Sequence, residues 1–329
     1  MLFEDLKETP IWEDGEYDYK AAYGFAPNIR PLIHEDDKVR PAMLVIPGGG
    51  YCFVTPSESQ NIAEEFYKRG FNTFVLCYTV DITMSVPLKD QPLKDAVRAM
   101  RFIRHRASEY KIDPNKITVC GFSAGGHVVG NLMTHHADVK DTKFTESGRP
   151  DAAIFAYPVI TTGEFTHQWS VQALLGTEPS QDELDYYSVE KNIADDNPPC
   201  FIWQTLTDNL VPVENSYLLA KALKDKGIKY AHYVFPEGWH GLSLPNEDFF
   251  AGKIGGDFCM EQIFKAVDAV REGKGIGVSE KRRQELIEQF APKDEGENKP
   301  PMPPVPPKYD DILMWPDLAM NFLERLELI

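Results

Sequence analysis

A repeated alternation most restricts what this chain can fold into. Short apolar runs rich in β-branched residues lie at Ala42–Pro47, Asn72–Tyr78, Lys116–Phe122, Ala152–Tyr157, Cys200–Leu206 and Tyr230–Phe235. Stretches with helical spacing separate them, at about Ser59–Arg69, Pro92–Tyr110, Ser123–His136 and Val213–Lys226. Apolar strands spaced by helices of that length form βαβ units, and these close as a mostly parallel sheet with helices on both faces. The expected fold class is therefore α/β. In such sheets ligands bind beyond the carboxyl ends of the strands, so the residues that follow each strand carry the functional information.

Composition narrows the class of partner. The 329 residues suffice for one large α/β domain, and 43% hydrophobic content can fill its core. Asp and Glu outnumber Lys and Arg by 51 to 34, a net charge of −17. That balance argues against nucleic acid or an anionic membrane surface as partner, and disfavours a strongly anionic substrate unless a local field differs. The five cysteines are scattered, with no CxxC and no zinc-like Cys/His spacing, so they read as buried free thiols in a reducing compartment and not as metal ligands. The acidic start "MLFEDLKETPIWEDGEYDYK" has no secretory pattern, and no apolar run approaches the roughly 20 residues of a membrane span. A soluble, cytoplasmic protein is expected.

The sharpest signal is "TVCGFSAGGHVVGNL", Thr118 to Leu132. Gly121-Phe122-Ser123-Ala124-Gly125 fits GxSxG between an apolar run and a helix, the context in which a strained turn presents a serine hydroxyl above a sheet. A plain turn with a helix-capping serine is the bland alternative. A serine nucleophile needs a base and an orienting acid, in the chain order Ser, Asp or Glu, His. Asp208 follows the run "CFIWQTL", and His240 follows "YAHYVFP" inside "EGWHGLS". Other candidates have simpler readings. His232 alternates within a strand, His127 packs on the helix after Ser123, and His135 and His136 suit that helix's end. Asp195 and Asp196 precede their strand, at the wrong end of the sheet, and Asp95 reads as a structural helix contact. "VIPGGGYCF" places Gly48, Gly49 and Gly50 directly after a strand, where backbone N–H groups can approach an oxyanion. Phosphate-loop spacing fails there.

Taken in order, "PGGGY", "GFSAGGH", "TDNLVPVENS" and "GWHGLS" resemble the α/β-hydrolase esterases of the hormone-sensitive-lipase-like and feruloyl- or acetylxylan-esterase-like group, over about Pro41 to Leu244. The resemblance implies Ser123, Asp208 and His240 as nucleophile, acid and base. It also implies Gly49, Gly50 and Ala124 as the oxyanion hole, with neither metal nor cofactor. Its implied substrates are small acyl esters, often acetyl, on oligosaccharides. Two departures stand out: Pro47 occupies the place where many relatives carry His, and residues 248–311 have no counterpart. Tyr51 beside the glycine loop and Trp239 beside the base are candidate substrate contacts, with ordinary packing the alternative. An arylformamidase-like or prolyl-peptidase-like hydrolase and a non-catalytic binding protein of the same fold are the rival functions. One domain spanning 1–329 is expected. Residues 1–41 would form a wrap or short antiparallel edge, and 248–311 an insertion acting as a lid or oligomer arm. Residues 315–329 would form a closing helix with Leu318, Phe322 and Leu326 on its apolar face.

Overall fold

The computed structural model describes residues 6–140, 143–253, 255–291 and 309–329. An eight-stranded sheet runs through it in the order β1-β2-β4-β3-β5-β6-β7-β8. β1 (Thr9–Pro10) and β2 (Asn28–Leu32) form an antiparallel edge. β3 (Arg40–Ile46), β4 (Asn72–Cys77), β5 (Ile112–Phe122), β6 (Ala152–Ala156), β7 (Cys200–Thr205) and β8 (Tyr230–Phe235) are mutually parallel. The six expected runs are these six strands. The chain is an α/β protein with the architecture of an α/β-hydrolase.

Side-chain alternation divides the interior in two, because successive residues of a strand point to opposite faces. Leu44, Ile46, Phe74, Leu76, Val119, Phe155 and Ile202 point into one core. Over that face pack α2 (Gln91–His105), α3 (Ala124–His135) and α6 (Glu214–Asp225). Met43, Val45, Val75, Cys120, Phe122, Ile154 and Trp203 point into the other, beneath α1 (Gln60–Lys68) and a C-terminal helix at Trp315–Glu324. Two short helices, α4 (Gln168–Leu175) and α5 (Gln181–Tyr187), lie between β6 and β7. The described part of the 248–311 segment holds α8 (Glu261–Arg271) and α9 (Glu280–Gln289), after a single turn α7 (Glu247–Phe250). The C-terminal helix is α10. The proline tract "PPMPPVPP" falls outside the described residues.

α8 and α9 dock on the loop after β4. Gln262 donates to the Val80 carbonyl at 2.5 Å and accepts from its amide at 3.0 Å. Arg282 donates to the Ile82 carbonyl at 2.7 Å. Ile263 and Val267 of α8 are buried, whereas Phe264 is exposed.

α10 lies in a different rotation from the one its apolar spacing predicts. Its buried stripe is Trp315, Ala319 and Leu323, with Leu318, Phe322 and Leu326 only partly covered. The indole of Trp315 sets this rotation. It stacks on Trp203 at 5.6 Å, meets Phe66 and Phe122, and donates its Nε1–H to the Ser243 carbonyl at 2.8 Å. A large ring that finds both a pocket and a polar partner outweighs several aliphatic contacts. Trp315→Ala should cost about 3–5 kcal/mol and Leu318→Ala clearly less. Urea midpoints at constant m would check the ranking, and equal losses would contradict this rotation.

Candidate active site

In sheet order, β4 lies on one side of β3 and β5 on the other, so the connections leaving β3 and β5 diverge and open a crevice. Ile46, the last residue of β3, is paired with Gly121 near the end of β5. The glycine loop and Ser123 therefore emerge side by side.

Ser123 sits at φ 52°, ψ −121°, outside the ordinary allowed regions, between the end of β5 and the start of α3. The flanking glycines allow this junction because there is no room for side chains. A Cβ on Gly121 would lie 2.5 Å from the Gly125 carbonyl oxygen, and one on Gly125 would lie 2.1 Å from that of Ile46. Hydrogen bonds then hold the strained residue on both sides. Its amide donates to the Ala156 carbonyl at 3.0 Å, and its carbonyl accepts from the amide of Val159 at 3.0 Å.

Ser123, His240 and Asp208, with 117 residues between the first pair and 32 between the second, form one hydrogen-bonded series. His240 Nε2 lies 2.8 Å from Ser123 Oγ, and Nδ1 lies 2.8 Å from Asp208 Oδ2. The carboxylate only accepts, so Nδ1 carries the hydrogen and Nε2 is the acceptor for the serine hydroxyl. The side chain of Asp208 is fully buried, and its Oδ1 accepts from the amides of Leu210 and Val211 at 2.9 Å each. The base loop is tied to the acid loop. The Gly238 amide donates to Thr207 Oγ1, whose hydroxyl is within reach of the Gly238 carbonyl, and the His240 amide donates to Asn209 Oδ1 at 3.1 Å. Tyr157 presents its ring to His240 at 4.9 Å.

Gly49 and Gly50, at φ 122° and 62°, face the same cavity as Ser123. Ala124 heads α3, where the first N–H groups of a helix have no partner within it.

Glu58 was not legible as a site residue, because it follows Gly48 by ten positions on a 3-10 turn, in no motif. Its carboxylate is buried beside the loop. Oε2 accepts from the Gly48 amide at 2.6 Å and Oε1 from the Tyr157 hydroxyl at 2.9 Å. Burial pushes its carboxyl above the usual carboxylate range, against the pull of the Gly48 amide and of His240.

The cavity over Ser123 measures about 480 Å³. Phe53, Trp169 and Leu210 are exposed at its wall, with Ile82, His167, Arg282 and Gln289 also lining it. Neither expected aromatic contact is among these linings. Tyr51 turns into the core, where its hydroxyl meets His127 Nδ1 at 2.7 Å. Trp239 packs edge-on against Phe250 and Tyr309 instead. Both lie next to site residues in sequence, but the backbone turns their side chains away. The set-aside residues sit elsewhere too: Asp95 is buried under donors from Trp12, Thr79 and Gln91, and His232 is bonded to Ser216.

Hydrolytic chemistry at a serine on an α/β-hydrolase scaffold is what such an arrangement can perform. The BD-FAE family profile matches residues 32–223, and the chain belongs to that family. It is 56% identical over 263 residues, 79% of its length, to endo-1,4-beta-xylanase B of Butyrivibrio fibrisolvens. It is 30% identical over 211 residues, 62% of its length, to acetylxylan esterase of Xylanibacter ruminicola. The chain spans only 41% of the length of each of these curated relatives. Among solved structures it resembles the acetyl ester-xyloside bifunctional hydrolase of Caldicellulosiruptor lactoaceticus, with TM-score 0.69 and 33% identity over 82% of this chain and 97% of that one. A carboxylesterase of Lactobacillus plantarum, 23% identical with TM-score 0.64 over 93% and 94% of the two chains, shares the fold. Among the described residues no helix is long and apolar enough to cross a membrane, and no cluster of three or more His, Cys, Asp or Glu could hold a metal ion.

The Tyr51–His127 pair yields a pH prediction. His127 Nε2–H donates to the Tyr187 carbonyl at 2.7 Å, so Nδ1 accepts from Tyr51 and the ring is held neutral. Burial lowers its pKa from 6.5 to about 4. Between those values the unfolded chain holds the proton and the folded one does not, so the stabilisation is full above about 6.5 and is lost as pH falls toward 4. The stability advantage of wild type over His127→Asn should shrink by about 3 kcal/mol from pH 7 to pH 4. Parallel urea-unfolding curves at the two pH values would contradict it.

Proposed function

We propose that this chain is a serine carboxylesterase that removes small acyl groups, acetyl foremost, from carbohydrate. The observation that carries the reading is the unbroken series Asp208–His240–Ser123 opening into a largely apolar cavity. Ser123 Oγ attacks the ester carbonyl while His240 Nε2 takes its proton, and Asp208 holds the imidazole tautomer and stabilises the imidazolium. The amides of Gly49, Gly50 and Ala124 receive the oxyanion, each such donor contributing about 3–4 kcal/mol to the transition state. His240 returns the proton to the leaving alkoxide, and water then cleaves the acyl-enzyme by the same steps.

The substrate class draws support from two relatives whose names are acetylxylan esterase and acetyl ester-xyloside bifunctional hydrolase. Phe53 and Trp169 at the cavity wall offer flat apolar faces against which a sugar ring can lie.

Ser123→Ala should lower turnover of p-nitrophenyl acetate by a factor of about 10⁶, and Asp208→Asn by about 10⁴ through the wrong imidazole tautomer. A fluorophosphonate should label Ser123 in the wild type alone. Near-normal turnover in Ser123→Ala would overturn the assignment. For acyl size, kcat/KM for acetyl esters should exceed that for octanoyl esters, since each poorly accommodated methylene costs about 1 kcal/mol. A preference that climbs with chain length would point to a lipase-like enzyme.

A further inference from the structure

Helix α9 comes late in the chain, well after the base His240, and it forms part of the wall above Ser123. Arg282, Leu286 and Gln289 lie along one side of it, at spacings of four and three residues. Leu286 is fully buried, and Arg282 and Gln289 line the cavity. Arg282 is well fixed. Nη2 donates to the Ile82 carbonyl at 2.7 Å, and Nη1 pairs at 3.1 Å with Glu285, which is much more exposed than Arg282. Its Nε–H is shielded from solvent and has no hydrogen-bond partner among the described residues.

The other ionisable groups of this wall do not duplicate that charge. Glu58 has both oxygens occupied by Gly48 and Tyr157. His167 is bonded through Nδ1 to Ser170, and its burial disfavours the charged ring. His240 is committed to Ser123 and Asp208. Among the described residues, Arg282 is the one permanent cation lining the cavity. The chain's overall −17 does not oppose a ligand at this contact, because solvent screens distant charges beyond about 8–10 Å at ordinary salt.

We propose that Arg282 recognises a carboxylate carried by the ester substrate, bound where its guanidinium lines the cavity. The inference rests on the esterase reading and names a substrate feature for the same cavity. A guanidinium offers a planar carboxylate charge-assisted hydrogen bonds in a fixed geometry that a lysine ammonium cannot reproduce. The carboxylate can belong to the sugar, as in a uronic acid unit, or to the acyl group, as in a dicarboxylic half-ester.

Binding tests this independently of turnover. In the Ser123→Ala full-length chain, calorimetry compares p-nitrophenyl β-glucuronide with p-nitrophenyl β-glucoside for the sugar side. It compares mono-p-nitrophenyl succinate with p-nitrophenyl butyrate for the acyl side. At least one acid should bind tenfold or more tightly than its neutral partner, and the pair that responds identifies which side carries the carboxylate. Adding Arg282→Gln should reduce that preference to less than twofold, while Arg282→Lys, which keeps the charge but not the fork, should retain part of it. If neither acid binds more tightly than its neutral partner, or if the preference survives Arg282→Gln, the proposal is overturned. Near-normal hydrolysis of p-nitrophenyl acetate by Ser123→Ala would instead remove the serine assignment and leave the carboxylate preference to stand or fall on the binding ratios.

Discussion

The backbone of Ser123 is the constraint on which the rest of the site depends. A non-glycine residue at φ 52° is held there only because its surroundings leave it no alternative. Gly125 lies so close to the carbonyls of Ile46 and Pro47 that α3 must start where it does, directly against the end of β3. That contact places the serine hydroxyl, the first amides of α3 and the glycine loop at one point. The loop is fixed in turn by the Tyr78 hydroxyl, which donates to the Pro47 carbonyl at 2.8 Å, and by Glu58 on the Gly48 amide.

Glu58, Tyr157 and Asp208 below this point are buried with their hydrogen-bond partners supplied, which makes this part of the site rigid. Asp208 accepts two backbone amides besides the imidazole, so its position follows from the turn after β7 and does not rely on the histidine. Tyr157 connects two parts of the network, its hydroxyl on Glu58 and its ring against His240. Pre-set donors and acceptors of this kind need not reorganise as charge develops, the feature to which electrostatic catalysis owes most of its effect.

Helix α9 adds two side chains, Arg282 and Gln289, to the cavity wall. α8 and α9 attach to the loop after β4 through Gln262 and Arg282, and α9 so brings side chains from late in the chain to a wall that the glycine loop and the loops after the other parallel strands also line.

The sequence by itself determined the six parallel strands, their helices, and the grouping of Ser123, Asp208 and His240. It could do so because strand runs, turn glycines and positions just after strands are local properties that a sheet's topology converts directly into proximity. It did not determine which way side chains face once the backbone leaves regular geometry. Tyr51 and Trp239 neighbour the site in sequence but point away, since Tyr51 sits at φ 63° and finds His127 behind the loop. Nor did apolar spacing set the rotation of α10, where one indole with a hydrogen bond to Ser243 outweighed the Leu318–Phe322 stripe. Glu58 and Arg282 reach the cavity only through the tertiary structure. Their places depend on packing between segments 10 and 200 residues apart, and no local pattern encodes such contacts.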